Sequence, residues 1–306
     1  MAIKPAKTRL TTINDGNTIL NMIRVIEPAE PTIILGVEAF EECTRQSETL
    51  GKWEAWKQFN FEPFKGAFQP MLDVVYQDEL ESLKPFVEAM DFNASLANAQ
   101  LFIATGGENR VRHALHRAMN ALPSEEPFPV YLLVGLGHTN GMALPGHEPY
   151  IYMGLEQTPC PQGIEGLVAH EYNHLYRVQR FHQRYSAESF CLENLTVGEF
   201  TITEGLATVF PLVLSEIEIT PRRIAECLPA LGDPAEVATR EDAMRADVLA
   251  HWNEPASREM IVRFVESGVS YFAGAVMMSR LLEAGYDICG LTRLSTERLS
   301  EMVRLD

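Results

Sequence analysis

Paired cysteines, an excess of basic charge and long apolar runs are all missing from this sequence, and each absence removes a class of protein. The five cysteines, Cys43, Cys160, Cys191, Cys227 and Cys289, are scattered, odd in number and without a C-x-x-C pair, which argues against a disulfide framework or a cysteine zinc site. Lys and Arg number 25 against 42 Asp and Glu, a net charge of −17. The broad positive surface that releases counterions from nucleic acid is therefore lacking. No stretch approaches the roughly 18 consecutive apolar residues of a membrane span, and the opening residues Met1 to Lys7 carry no apolar signal-peptide core. The expectation is a cytoplasmic protein with no nucleic-acid partner and no membrane span. Internal repeats, a Gly/Ser linker and a G-x-x-x-x-G-K-[ST] phosphate loop are also absent, and Gly106-Gly107 is too short to replace the last of these.

What is present is ordinary globular material, 46% apolar and 22% charged over 306 residues, enough for a sizeable core. Thr18 to Ile26 alternates like a strand, with Pro28 and Pro31 as breakers after it. Helical spacing from Val37 to Met90 predicts two or three helices, with Trp53 and Trp56 on one face, and a further helix is predicted over Glu108 to Leu122. The grammar then changes. Pro129 to Gly135 reads as a buried strand, Asn140 to Leu144 as a short extended piece between turns, and Tyr150 to Leu155 as another strand. A long helix follows from Ile164 to about Arg180, and Leu195 to Leu214 is apolar and β-branched, open to either strand or helix by propensity. Pro221 to Asp306 shows helical periods interrupted at Gly232-Asp-Pro234, Asn253-Glu-Pro255 and Gly285.

Inside the long helix lies His170-Glu171-Tyr172-Asn173-His174. Histidines at i and i+4 project from one helical face, so both imidazoles can reach one zinc ion. Glu171 is angled off that row, where it can touch a zinc-bound water as general base without binding the metal. Chance produces H-E-x-x-H in a chain of this length on the order of one or two times per hundred. Two histidines leave a tetrahedral catalytic zinc one protein ligand short, and Arg177 and Arg180 stand where a metzincin would place its third histidine region. Glu204, in Thr203-Glu-Gly-Leu-Ala207, offers a carboxylate in an apolar segment that metal binding would compensate; Glu199 competes on position. The small residues Gly205 and Ala207 are expected to let this segment approach the zinc helix closely.

H-E-x-x-H followed by E-G-x-A resembles the glutamate-liganded zincins (gluzincins), and most closely a bacterial family of predicted zinc-dependent proteases. The resemblance extends loosely over Phe128 to Leu291 and decides for helix at Leu195 to Leu214. It implies a zincin-like α+β fold, with a lobe at 1–180 holding a small mixed sheet and the zinc-binding helix, and a mostly helical lobe at 181–306. It implies one Zn2+ held by His170, His174 and Glu204, and an edge strand at Asn140 to Leu144 that pairs with an extended peptide or protein substrate. Near the C-terminus, Tyr271-Phe-Ala-Gly274 looks like the Tyr-x-x-Gly of the aminopeptidase branch, which makes Tyr271 the oxyanion donor, with His251 as its competitor. Two departures stand out: the edge strand lacks the glutamate that holds a substrate amino terminus, and Thr208 replaces the acidic residue that braces a zinc histidine in thermolysin-like enzymes.

The expected activity is that of a zinc metallopeptidase, with Glu171 and Tyr271 as the catalytic side chains. The rival is a non-catalytic zinc-binding or partner-binding protein that keeps the gluzincin frame; a third reading is an esterase or amidase on small molecules. Elsewhere, His113 and His116 beside Arg110, Arg112 and Arg117 read as a solvated basic face, His138 and His147 flank the edge segment, His182 follows the zinc helix at the surface, and Met277-Met278 fill core.

Overall fold

The computed structural model describes residues 30–73, 79–124, 126–137, 139–145, 148–157, 161–181 and 195–304. The strand expected at Thr18 to Ile26 and the histidines His138, His147 and His182 lie outside them. The order begins with strand β1 (Thr32–Leu35) and helix α1 (Val37–Leu50), and continues through short helical pieces to α2 (Phe92–Ala104) and α3 (Gly107–Ala121). Next come β2 (Pro129–Leu133), β3 (Gly141–Leu144), β4 (Tyr150–Gly154) and the long helix α4 (Pro161–Arg180). α5 (Val197–Leu214), α6 (Glu241–Ala250), α7 (Val269–Glu283), α8 (Ile288–Thr292) and α9 (Thr296–Arg304) are the main helices of the remainder. The architecture is mixed α+β, mostly helical, with one small sheet.

The sheet runs β1-β2-β4-β3. β1, β2 and β4 are mutually parallel, with Ile33 opposite Val130 and Tyr131 opposite Tyr152. β3 is antiparallel to β4, Met142 opposite Tyr152, and forms an edge. Each residue of β4 is buried, as a central strand covered on both faces requires. β1 was not foreseen: four residues directly after Pro31 carry too little pattern to stand out, and their pairing is with a strand almost a hundred residues away. Aromatic side chains cover one side. Trp53 and Trp56 stack at 5.8 Å as their spacing predicts, and Phe68 continues from Trp56 to Tyr152.

Two expectations need correction. Val37 to Met90 is not two or three helices but a longer series of short α, π and 3-10 pieces, Lys52–Trp56, Lys57–Phe61, Glu62–Phe64, Lys65–Met71, Leu80–Leu83 and Lys84–Ala89 among them. Gly51 at φ 83° ends the first helix, and Pro63 and Pro85, at the first positions of later pieces, lack the amide hydrogens that would continue a helix running into them. The second concerns Gly205. It faces not the histidine helix but α7: a Cβ on Gly205 would sit 2.3 Å from the Gly274 carbonyl carbon, and one on Gly274 would sit 2.0 Å from the Thr201 carbonyl oxygen. Backbone meets backbone there, which no larger residue allows.

α5 is long and apolar enough by composition to cross a membrane, yet two-thirds of it is buried within this fold and it carries Glu199 and Glu204. It starts at a capping box, in which Thr196 Oγ1 accepts from the Glu199 N–H and Glu199 accepts from the Thr196 N–H. The apolar helix is core: it packs between α4 and α7. Because the α5–α7 crossing has no slack, Gly274→Ala should destabilise the protein by about 2 kcal/mol or more, within the range for overpacked sites. Urea unfolding of the variant beside wild type measures it; an unchanged midpoint would show that the two helices can move apart freely.

Candidate metal centre and cleft

α4 presents His170 and His174 one turn apart, their rings edge-to-face with centroids 4.7 Å apart. Glu204 of α5 meets them: its Oε2 lies 3.3 Å from each Nε2, and the two Nε2 atoms lie 3.0 Å from one another. Glu204 is buried, and that Oε2 has no hydrogen-bond partner. Three acceptor atoms thus point at one place. Coordination at about 2.0–2.1 Å with tetrahedral angles requires ligand atoms about 3.3 Å apart, so the donor set fits zinc both in kind and in spacing. Among the described residues these three form a group able to hold a metal ion. Burial alone would push the Glu204 carboxyl up, but the two histidines outweigh it and hold it well below the usual carboxylate range.

Glu171 sits off the ligand row as its position in the helix dictates. It is 5% exposed and packs against the edge strand: a Cβ on Gly141 would lie 3.0 Å from the Glu171 side chain, and the Ala143 N–H donates to its carboxylate. Burial is the main cause that pushes Glu171 up to about 7, opposed by His170 and assisted by the Glu204 charge.

Tyr271 opens α7 one turn before Gly274, so the close crossing that seats Gly274 on Gly205 also sets the tyrosine beside Glu204. Its ring stacks on His170 at 6.1 Å and 15°. The Glu204 charge, then burial, then Glu171 and a hydrogen bond to Glu204 raise the phenol well above its ordinary value, which keeps the proton on the hydroxyl. His251 does not reach this place. Its Nδ1 is 2.9 Å from the Asp247 carbonyl and its Nε2 3.3 Å from Arg263, and it is not among the residues lining the cleft. Glu199 is held at the start of α5 by the capping box, a full turn and more from Glu204. His113 and His116 are exposed on α3, as expected of a solvated face, and Met277 and Met278 are core.

The three acceptors, Glu171 and Tyr271 all open onto one cleft of about 1100 Å3, walled by β3, α4, α5 and the residues that precede and begin α7. Arg177, one turn after His174, went unrecognised as a structural group. Its guanidinium is fully buried and donates to the carbonyls of Thr292 and Leu294 and to Thr296 Oγ1. Asn173 donates to Thr292 Oγ1 and Arg180 to the Arg293 carbonyl. The flank of α4 that Asn173, Arg177 and Arg180 share, next to the histidine row, is therefore fastened to the α8–α9 junction. A long cationic side chain between the apolar Tyr176 and Val178, one turn after His174, was the available signal.

Residues 116–216 match the model of a family described as Predicted Zn-dependent protease (DUF2268). The match covers a third of the chain, from α3 to the end of α5, and includes both motifs on which the resemblance to such proteases rests; Tyr271 lies beyond it. Comparison with curated proteins and with solved structures gives no match.

Replacing His170, His174 or Glu204 by Ala removes one of three converging acceptors, and zinc affinity should fall by more than about 100-fold in each case, beyond the usual effect of losing an outer partner. Competition with a chromophoric chelator reads this directly. A Glu204→Ala protein that holds zinc as wild type does would remove Glu204 from the site.

Proposed function

We propose that this protein is a zinc-dependent peptidase with a zincin-like frame, in which 1–180 and 181–306 are two lobes of one catalytic domain. The observation that carries the reading is the meeting of three acceptor atoms at tetrahedral spacing at the floor of an open cleft, beside a buried carboxylate that is not one of them. A site built only for structure has no use for that additional carboxylate and normally closes its fourth position.

His170, His174 and Glu204 would hold one Zn2+. What the ion supplies when bound is Lewis acidity, which polarises a carbonyl oxygen and acidifies water. The rest is the work of this chain. The outer edge of β3 offers backbone groups to an extended peptide, which places its scissile bond across the cleft. Glu171, fixed against Gly141 and the Ala143 amide, receives a proton from the attacking water and delivers it to the departing amine. Tyr271 keeps its proton and donates a hydrogen bond to the oxygen that becomes negative. The substrate in this reading is a peptide or unfolded protein, in keeping with a cleft open to an extended chain.

Glu171→Gln should retain zinc and lose about 10²-fold or more in kcat, because an amide cannot take the proton. Tyr271→Phe keeps the ring against His170 and removes only the hydroxyl, so kcat should drop by about 10²-fold with KM little changed. Both are measured by zinc content and steady-state hydrolysis of an unfolded protein. Near-wild-type turnover in Glu171→Gln would dismiss Glu171 as the base; normal kcat with a lowered melting temperature in Tyr271→Phe would reduce that residue to a packing role.

A further inference from the structure

The face of α5 that carries Glu204 continues along the cleft through Thr208, Pro211, Leu212 and Ser215, at the three- and four-residue steps of one helical face. Thr208 is anomalous on it. The helical threonines Thr44, Thr105, Thr201 and Thr292 each bond back to the carbonyl four residues earlier. Thr208 is 5% exposed, lines the cleft, and its Oγ1 has no hydrogen-bond partner. A buried hydroxyl left unpaired is costly, and the residue that carries this one is part of the cleft wall.

α4 supplies a second, independent observation. Gly163 and Gly166 stand on the cleft wall in the two turns before His170. Helix interiors disfavour glycine, and packing does not demand it here, since a Cβ at either position would meet nothing within 4 Å. Their effect is to widen the cleft next to the metal centre. Leu167, Leu228 and Val265 make the walls apolar, Glu165, Glu171 and Glu204 are the acidic groups, and the sole Lys or Arg among the described lining residues is Arg177, whose guanidinium already donates to three acceptors.

We infer that this arm of the cleft is a side-chain pocket, and that it selects a bulky uncharged residue bearing a hydrogen-bonding atom beside the scissile bond: tyrosine ahead of phenylalanine, and either ahead of aspartate or glutamate. This rests on the peptidase reading above. The Thr208 hydroxyl lies one turn, about 5.4 Å of helix, beyond the Glu204 ligand, a distance that an aromatic side chain spans. A tyrosine hydroxyl satisfies Thr208 where a phenylalanine edge leaves it unpaired, which is the situation in which a site rejects the analogue lacking the group. Beyond the metal ligands, an acidic side chain meets no Lys or Arg but Arg177, already committed to three acceptors, and shares the cleft with the carboxyl groups of Glu165 and Glu171.

The test uses zinc-loaded full-length protein and two peptides that differ only as Tyr or Phe at the preferred site, with Ala and Glu versions alongside. Wild type should favour Tyr over Phe by about tenfold in kcat/KM, the equivalent of one good hydrogen bond. Thr208→Val, which conserves shape, should bring that ratio near one with zinc content and melting temperature retained. Gly166→Leu should lower kcat/KM for the Tyr and Phe peptides by more than about tenfold, spare the Ala peptide, and leave the helix no less stable; a glycine of no functional consequence predicts unchanged kinetics. Fluorescence anisotropy of the same peptides, labelled, on zinc-loaded Glu171→Gln should show the same Tyr-to-Phe ratio in binding. Hydrolysis without a Tyr preference, a ratio that Thr208→Val does not move, or a preference for Glu would overturn the pocket and leave the peptidase standing. Binding with the predicted ratio but no hydrolysis by wild type would uphold the pocket and overturn the peptidase.

Discussion

The crossing of α5 and α7 at Gly205 and Gly274 is the constraint from which the site follows. Two helices whose backbones touch have no freedom to rotate or slide without collision, so the residues next to the contact are fixed with it. Glu204 precedes Gly205 directly and Tyr271 lies one turn before Gly274; neither chooses its neighbour separately. The glycine contact acts as a rivet between two chemical groups that are 67 residues apart in sequence, and its cost is the loss of two side chains from the core.

The electrostatics set by that geometry are those of an incomplete arrangement. A carboxylate taken out of water needs compensation, and at Oε2 Glu204 has only the two imidazole Nε2 atoms, each 3.3 Å away. Nearby, Glu171 adds a second buried carboxylate and pushes up the Tyr271 phenol jointly with Glu204. Positive charge entering this group would compensate its carboxylates, which is what a metal ion held by His170, His174 and Glu204 would supply. The surrounding fold tolerates the strain because α4 is anchored elsewhere, by Tyr172 to the Leu122 carbonyl on one side and by Asn173 and Arg177 to the C-terminal helices on the other.

Much of this was legible from periodicity and spacing. The histidine helix, the strands on either side of the edge segment, and the helix over Val197 to Leu214 were foreseen, the last through the E-G-x-A motif, since its β-branched composition alone left strand and helix equal. The choice between Glu199 and Glu204 was also present in the text, unused: Thr196-x-x-Glu199 is a capping-box pattern, and a glutamate occupied at a helix start is not available to a metal. β1 was hidden because a four-residue parallel strand has no local partner to reveal it. The orientation of Gly205 was hidden for another reason. Small residues announce that something comes close, not which helix it is, and only the long-range pairing with Gly274 decides. Thr208 could be noticed as a departure from an acidic position, but that its hydroxyl goes unanswered is a fact of the fold alone.

The fastening of α4 to the α8–α9 junction bears on how such a chain matures. Asn173 and Arg177 reach partners 115 to 119 residues further along the sequence. Contacts of such separation close late. During synthesis the helix bearing both histidines is complete long before the flank carrying Asn173 and Arg177 has a surface to rest on, and the buried guanidinium of Arg177 waits for carbonyls that do not yet exist. Until residues 292–296 are made and packed, the flank of α4 beside His170 and His174 lacks its support, and the candidate bed for an ion takes its final form only when that distant segment arrives.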